Sequence, residues 1–280
     1  MNINNVLFCG GDRRFLSTAR EFINCGYNCK SYFCDFSHPD IEKITKIPYE
    51  KGIVILPLPS FIDDKYLNGK NDISPEFVFS SLKPETPVFG GMISEFIFRL
   101  AREYNLSVYD YAAREEFSVK NSIPTAEAAI FIASERLKRT VFGSKIDVVG
   151  YGRIGKALAK RLSALGAKVK IAARSRAALS LAECNGFTVE NLSEYLNHSV
   201  DCDVLFNTVP CRIINKKTTD NDNTVFIDLA SKPGGFTEDA EKTLGTRLIK
   251  ALALPGKYSP ESAGEIIFET VNNIIKEIGE

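Results

Sequence analysis

The feature that most constrains the fold is a glycine-rich turn, GYGRIG, at residues 150–155. An apolar run at residues 146–149 precedes it, and a helix-forming stretch at residues 156–162 follows it. In such units the first glycine permits the tight turn, the second lets the backbone approach a pyrophosphate, and the third packs helix against strand. A second apolar run at residues 167–172 completes a βαβ unit of about 30 residues. The pattern predicts a dinucleotide-binding domain with a pyrophosphate at the helix N-terminus. The alternative interpretation is a tight turn with no ligand.

The residues after the second strand indicate which dinucleotide binds. NAD-binding domains place a carboxylate there for the ribose 2′-hydroxyl, whereas this chain has Arg174, Ser175 and Arg176. An arginine and a serine can bind a 2′-phosphate through charge-assisted hydrogen bonds. We therefore predict NADP, with a solvated basic turn as the alternative.

Other cofactor contacts are expected at the glycine turn and after the fourth strand of the same domain. The segment 207–210 follows that strand and is expected to run along the nicotinamide ribose. The predicted cofactor-binding residues are Gly150, Gly152, Arg153, Ile154, Gly155, Arg174, Ser175, Arg176, Asn207, Thr208, Val209 and Pro210.

Composition excludes several classes of protein. The 35 basic and 35 acidic residues cancel, and no long block of one charge suggests a nucleic-acid or membrane surface. The first residues lack the pattern of a secretory signal, and no run of about 20 apolar residues suggests a membrane span, so we expect a cytoplasmic protein. The seven cysteines include no C-x-x-C pair and are expected to be reduced. No metal site is predicted.

Short apolar runs alternate with helical patterns along the whole chain, which indicates parallel sheets covered by helices. We predict an α/β fold with two Rossmann-like, doubly wound parallel-sheet domains and an interdomain cleft. The expected bounds are an N-terminal α/β domain at 1–118, an NADP-binding Rossmann domain at 119–256, and a C-terminal helix at 257–280 that returns to the N-terminal domain. A helix is expected from Ala126 to Leu137, capped by the residues before it.

Beyond the glycine turn, five further segments make the chain resemble the A subunit of dipicolinate synthase from spore-forming bacteria. They are 10–13 (GGDR), 121–127 (NSIPTAE), 207–210 (NTVP), 228–235 (DLASKPGG) and 254–257 (LPGK), and they recur in this order over nearly the whole chain. The chain departs from the family pattern at Ala128, Cys211 and Ala253, which are changes of size and not of charge.

The resemblance implies an NADP-dependent oxidoreductase that works with a flavoprotein-like B subunit during sporulation. Its product would be dipicolinic acid, made by oxidation of dihydrodipicolinate or its hydroxytetrahydro precursor, on a branch from lysine biosynthesis. The location implied is the mother-cell cytoplasm. The sequence leaves open the direction of NADP use, the need for the B subunit, and whether the chain forms a homo-oligomer.

Such a reaction needs cations for two carboxylates and a group that accepts a proton. We predict that Arg13, Arg14, Arg212 and Lys232 bind substrate, because each follows a predicted strand; Arg114 and Lys257 are weaker candidates.

Three groups are expected to take part in catalysis. Lys232 is the first choice for the base, Asp12 or a water molecule is the alternative, and Ser231 would orient the substrate. Neither His38 nor His198 follows a predicted strand, so both are set aside.

Two other functions remain open. The chain could be a non-catalytic NADP-binding scaffold subunit, which the lack of an obvious histidine base favours. It could also be another two-domain NADP-dependent dehydrogenase of the hydroxyacid or shikimate kind. Its lack of a histidine near the last strands argues against the hydroxyacid branch.

Overall fold

A computed structural model describes residues 4–69 and 72–279 of the chain. Its strands, in chain order, are β1 (Asn5–Cys9), β2 (Asn28–Tyr32), β3 (Ile41–Ile44), β4 (Ile53–Ile55), β5 (Phe61–Ile62), β6 (Tyr66–Leu67), β7 (Pro87–Gly90), β8 (Ser107–Asp110), β9 (Lys145–Val149), β10 (Lys168–Ala173), β11 (Thr188–Asn191), β12 (Val204–Asn207), β13 (Val225–Asp228) and β14 (Leu248–Lys250).

The helices are α1 (Arg13–Asn24), α2 (Pro75–Ser80), α3 (Glu95–Glu103), α4 (Glu115–Arg136), α5 (Arg153–Ala164), α6 (Arg176–Cys184), α7 (Leu192–Tyr195), α8 (Glu238–Leu244), α9 (Leu254–Tyr258) and α10 (Pro260–Gly279). Short 3₁₀ turns lie at Tyr111–Ala113 and Gly245–Arg247. Within the described ranges, none of these helices combines the length and apolar composition that a membrane span requires.

The chain divides into two compact units, residues 1–121 with 255–280 and residues 122–254. The second unit contains a six-stranded sheet in the order β11-β10-β9-β12-β13-β14, with every neighbouring pair parallel. This is the doubly wound order in which a dinucleotide binds where the strand order reverses, between β9 and β12. Its central strands are largely buried because helices cover both faces.

The first unit repeats the same order in its own six-stranded parallel sheet, β3-β2-β1-β4-β7-β8. A small antiparallel hairpin, β5 and β6, is inserted between the fourth and fifth strands of this sheet. The two sheets confirm the predicted α/β class with two doubly wound parallel sheets.

Helix α10 packs against α1 in the first unit. Gly264 lies so close to α1 that a Cβ placed on it would be 2.1 Å from the backbone oxygen of Arg14. The Thr18 hydroxyl donates to the Gly264 carbonyl at 2.9 Å, and the Phe22 and Phe268 rings meet edge to face with their centroids 4.9 Å apart. A small residue, a buried hydroxyl and an aromatic pair therefore define this helix crossing.

The predicted start of helix α4 was wrong. The helix begins at Glu115 and runs through Pro124, whereas the sequence pattern predicted a start at Ala126. Proline lacks an N–H and normally disfavours a helix interior. The helix continues because buried side chains lie on both sides of the proline, Phe117 before it and Ala126 and Ala129 after it. Tertiary packing outweighs the local signal here.

Candidate functional site

The glycine turn between β9 and α5 cannot accept side chains at its first and third glycines. Gly150 has φ +96°, and a Cβ on it would lie 2.3 Å from the hydroxyl oxygen of Thr208. A Cβ on Gly155 would lie 2.2 Å from the carbonyl oxygen of Gly150. Both glycines are therefore required for the turn to form and for the helix to pack against it.

The second glycine of the turn differs from the other two. Gly152 is the N-cap of α5 with an extended backbone, and a Cβ placed on it would meet nothing within 4 Å. Because Gly152 has no side chain, this N-cap makes no side-chain hydrogen bond to the first N–H groups of the helix. The open space over Gly152 and the helix N-terminus fit the pyrophosphate of a dinucleotide. Packing within the described residues does not require a glycine here, and the open space is what close approach of a ligand to the backbone needs.

A concave pocket of about 490 Å³ lies beside this turn in the second unit. Its wall is mostly apolar and contains one guanidinium, that of Arg174, and no carboxylate. The lining residues are Gly150, Tyr151, Gly152, Ala173, Arg174, Ser175, Ala178, Leu192, Val209, Pro210, Cys211 and Ile213. A pocket of this size and composition suits a cofactor-sized ligand.

The three residues after β10 have different environments. Arg174 lines the pocket and is exposed, and among the described residues neither it nor Arg176 forms an ion pair. The Ser175 hydroxyl accepts a 3.4 Å hydrogen bond from the Ala178 N–H and so caps α6. Arg176 is exposed at the first position of α6. Arg174 and Ser175 are thus placed beside the pocket, whereas Arg176 is not among its lining residues.

Asn207 is buried beneath the segment that follows β12. It has no exposed surface, and its side-chain amide donates to the Val209 carbonyl at 3.0 Å and to Asp228 at 2.7 Å. Its side-chain oxygen accepts from the Val209 N–H at 3.1 Å. The Thr208 hydroxyl donates to the Val149 carbonyl at 2.9 Å. Asn207 therefore shapes the backbone of 208–210, and its side chain is already engaged where the sequence predicted a cofactor contact.

The loop after β13 begins with Asp228 and continues through residues 230–235. The Asp228 carboxylate accepts from the Ala230 N–H at 3.2 Å and from the Gly235 N–H at 2.9 Å. Ser231 and Lys232 lie exposed on this loop. Lys232 is therefore not buried in the way that would suit a lysine to act as a base.

The predicted substrate residue Arg212 is engaged at the surface. Its guanidinium donates to Glu238 at 2.8 Å, and the side chains are 43% and 71% exposed, respectively. An exposed pair of this kind contributes little to stability. Arg212 is thus available to an anionic ligand.

Asp12 and Arg14 form a pair at the start of α1 in the first unit. The Asp12 carboxylate accepts the Arg14 N–H at 3.0 Å and the Arg14 guanidinium through two nitrogens, at 2.9 and 2.8 Å. Arg14 also donates to the Leu58 carbonyl at 2.8 Å, and only 11% of its side chain is exposed. Arg14 thus binds Asp12 and the Leu58 carbonyl, whereas the sequence predicted that it binds substrate. Asp12, which the sequence offered as an alternative base, caps helix α1.

The other cationic candidates of this unit differ in their partners. Arg13 is exposed beside a pocket that Lys43 and Asp35 also line. Arg114 is bound by Glu116 and Glu277, whose hydrogen bonds raise the pKa of its guanidinium. The Lys257 amine lies 5.0 Å from the centre of the Tyr258 ring. Arg13 and Lys257 are both exposed and form no ion pair within the described part of the chain.

Sequence reasoning missed two residues that organise the site. Tyr151, inside the glycine turn, is buried and its hydroxyl accepts from the Asn185 amide at 3.1 Å, which ties the turn to the end of α6. Asp228 was noticed only as part of a motif. Its signal was available, because Asn207 and Asp228 each end an apolar run in the sequence. The structure makes the two residues register partners in the sheet.

A polar network in the second unit involves none of the residues predicted to bind or react. Buried Tyr195 donates to Asp147 at 2.8 Å, and burial raises the pKa of Asp147.

Lys170 binds Glu190 at 3.2 Å, and Glu190 also binds His198. The two ring nitrogens of His198 face two acceptors, the Ser199 carbonyl and Glu190. The imidazolium can donate to both, and a neutral ring cannot.

Comparison with known proteins assigns both units. Residues 5–112 match the family model for the N-terminal domain of the dipicolinate synthase A subunit. Residues 118–224 match the model described as D-isomer specific 2-hydroxyacid dehydrogenase, NAD binding domain. The A subunit of dipicolinate synthase from Bacillus subtilis (strain 168) is 32% identical over 287 residues, covering 98% of this chain and 96% of that protein.

The chain belongs to the family of dipicolinate synthase A subunits. This confirms the resemblance noted in the sequence. The second unit is accordingly a nicotinamide-dinucleotide-binding domain of the dehydrogenase kind.

Solved structures agree with this assignment. The A subunit from Bacillus halodurans has a TM-score of 0.87 at 25% identity, with 97% of both chains covered. The A chain of the Bacillus subtilis enzyme has a TM-score of 0.86 at 26% identity, with 100% of this chain and 98% of that chain covered. A transhydrogenase from Sinorhizobium meliloti has a TM-score of 0.72 at 13% identity, with 98% of this chain and 94% of that chain covered, and shares the fold.

Proposed function

We propose that this chain is an NADP-dependent dehydrogenase that oxidises dihydrodipicolinate, or its hydroxytetrahydro precursor, to dipicolinic acid. Membership of the family of dipicolinate synthase A subunits supports the product, and the dehydrogenase-type domain supports the reaction class. The observation that carries the proposal is the glycine turn with open space over Gly152, beside a pocket of cofactor size. The sporulation role and cytoplasmic location implied by the family belong to this proposal.

The choice of NADP over NAD rests on the charge of the pocket wall. Arg174 is its one charged lining residue among those described, and none of these lining residues offers a carboxylate to a ribose 2′-hydroxyl. A 2′-phosphate would bind the guanidinium through charge-assisted hydrogen bonds, with the Ser175 hydroxyl close by in sequence. In a wall with no acidic residue, that phosphate meets no repulsion.

The chemistry requires removal of a hydride and a proton from the dihydro ring, and the hydroxytetrahydro precursor must in addition lose water. NADP, when bound, supplies the hydride acceptor. We assign the substrate carboxylates to Arg212 and Lys232, which are exposed cations of the second unit that a carboxylate can reach. The substrate contact of Arg13, in the first unit, stays a prediction. Ser231 would hold the substrate, and a water molecule would take the proton, because exposed Lys232 serves here as a cation with no site to accept one. Arg14 and Asp12 are not needed in this scheme, because each already binds the other.

The proposal includes a second kind of subunit. The relative from Bacillus subtilis is named as one lettered subunit of its enzyme, and we infer that this chain also works with a B subunit of the flavoprotein-like kind. The contribution of that partner decides whether this chain carries the whole active site or only the cofactor and part of the substrate site.

The test is absorbance at the NADPH band after the purified chain is mixed with NADP and freshly generated dihydrodipicolinate synthase product. The assay is run with and without the B subunit. NADP reduction by the chain alone is the expected result, and reduction only in the presence of the B subunit would place part of the site on that partner. If NADP binds but is not reduced in either mixture, the chain is a cofactor-binding scaffold and the proposed activity is wrong.

A further inference from the structure

We propose that Asn207 and Asp228 are positioning residues that hold the two loops of the nicotinamide half of the site in one fixed arrangement. The loops are residues 208–214, which follow β12, and residues 229–236, which follow β13. This inference deepens the proposed function and rests on NADP binding at the glycine turn.

The two side chains are buried and use their polar atoms on each other and on the loops. Asn207 is 0% exposed and Asp228 is 3% exposed. The amide of Asn207 donates to the Asp228 carboxylate at 2.7 Å, which joins the ends of two neighbouring strands. A buried carboxylate is stable only when donors surround it, and the Asn207 amide with the N–H groups of Ala230 and Gly235 supplies three.

Gly235 closes the connection between the two loops. Its N–H donates to Asp228, and its carbonyl accepts from the N–H groups of Ile213 and Ile214 at 3.0 and 2.9 Å. A Cβ on Gly235 would lie 1.9 Å from the Asn207 side-chain nitrogen. No side chain fits between them, so Gly235 is required for this arrangement.

The arrangement determines which groups face the pocket. Val209, Pro210, Cys211 and Ile213 line the wall. Asn207 holds Val209 by both its N–H and its carbonyl, and Gly235 holds Ile213. Ser231 and Lys232 lie on the second loop, three and four residues after Asp228. The buried pair of Asn207 and Asp228 therefore fixes both the pocket wall after β12 and the loop that carries Ser231 and Lys232.

The variant that tests this is Asp228→Asn. The substitution keeps the shape of the side chain but replaces one acceptor oxygen with a donor, which must then face the Asn207 amide or a loop N–H. We expect the dissociation constant for NADP, measured by calorimetry, to rise at least tenfold. We also expect faster hydrogen–deuterium exchange in both loops of the cofactor-free protein. The second variant, Gly235→Ala, should act in the same direction by displacing Asn207.

Asp203→Asn is the matched control. The Asp203 carboxylate accepts the Lys145 N–H at 2.8 Å just before β12, at the opposite end of the strands of the same sheet. The variant removes the charge but keeps an oxygen that can accept this N–H, and it should leave NADP affinity within about twofold of wild type, since sites this far apart act independently. If Asp228→Asn folds and binds NADP as wild type does, or if both aspartate variants weaken binding equally, the inference is wrong.

Two further results separate this inference from the proposed function. A wild-type protein that binds no NADP overturns the proposed function, whatever the exchange data show. If neither variant at the pair folds, exchange of the wild-type protein decides the question. NADP should then slow exchange in both loops, and protection of only one loop would contradict their joint positioning.

Discussion

Arg174 is the residue on which cofactor choice depends. We predict that Arg174→Asp weakens NADP binding by about tenfold to a hundredfold, since a hydrogen bond to a charged group contributes about 1.5–3 kcal/mol. It should also improve NAD binding, because a carboxylate can accept from the ribose 2′-hydroxyl. Titration of both dinucleotides into the variant measures this.

Lys168→Asp is the matched control for that change. Lys168 is exposed at the start of β10, the strand whose other end leads to Arg174, and lies roughly 20 Å away along it. The charge change is the same, so a general electrostatic effect would appear in both variants. Unchanged NADP affinity in Arg174→Asp would refute the 2′-phosphate assignment.

His198 is the residue that should make stability depend on pH near neutrality. Its hydrogen bonds to the Ser199 carbonyl and to Glu190 raise its pKa above the ordinary 6.5. Burial opposes the charged form of Glu190, but its bonds to His198 and Lys170 lower its pKa overall. The stabilisation from His198 is therefore complete below about pH 6.5 and is lost as the pH rises through the raised value.

Urea unfolding of the wild type and of His198→Gln across this range checks the prediction. The difference in the free energy of unfolding should shrink as the pH rises, since only the wild type loses a proton from this site. A difference that does not change with pH would mean that the imidazolium adds no stability.

Among the elements, the crossing of α1 and α10 is the contact that a single methyl group should disturb. We predict that Gly264→Ala lowers the free energy of unfolding by about 1–3 kcal/mol, because the added Cβ would overlap the Arg14 carbonyl. Gly279→Ala, near the end of the same helix, meets nothing within 4 Å and should be neutral or slightly stabilising. Equal effects of the two substitutions in denaturant unfolding would contradict this packing.

Elements with a strong periodic signal could be predicted from the sequence, and those stabilised by distant contacts could not. Helix α5 lies where the pattern after the glycine turn placed it, because turn, periodicity and packing agree. Helix α4 starts at Glu115, well before the predicted Ala126, since buried side chains outweigh the proline. The strand β3 was not predicted, because two of its four residues are exposed and charged and interrupt the apolar run.

For the molecule as a whole, the informative comparison is between two units with the same strand order and different helix starts. In the first unit the Asp12 carboxylate caps α1, so negative charge already occupies the place that an anion would need. In the second unit Gly152 leaves the start of α5 without a side-chain cap. The shared topology alone would suggest two nucleotide sites, and the residues at the helix starts favour one.

The same contrast explains which parts of the site the sequence could predict. Gly150 and Gly155 follow from backbone geometry that any such turn requires. The pairing of Asp12 with Arg14 depends on side-chain directions that residue types alone do not reveal, and so does the burial of Asn207. Spacing indicates where the strands end, and only the structure shows which polar groups there are already bonded.

The most direct test of the account is dinucleotide binding and thermal unfolding of Gly152→Val beside Gly155→Ala. Gly152 has open space, so its variant should fold with a loss of no more than about 1 kcal/mol, the cost of a poorer N-cap. It should nevertheless lose NADP binding, because the side chain would occupy the space that the pyrophosphate needs. Gly155→Ala should lose both stability and binding, since its Cβ overlaps the Gly150 carbonyl. A stable Gly152→Val protein that binds NADP as tightly as wild type would contradict the account.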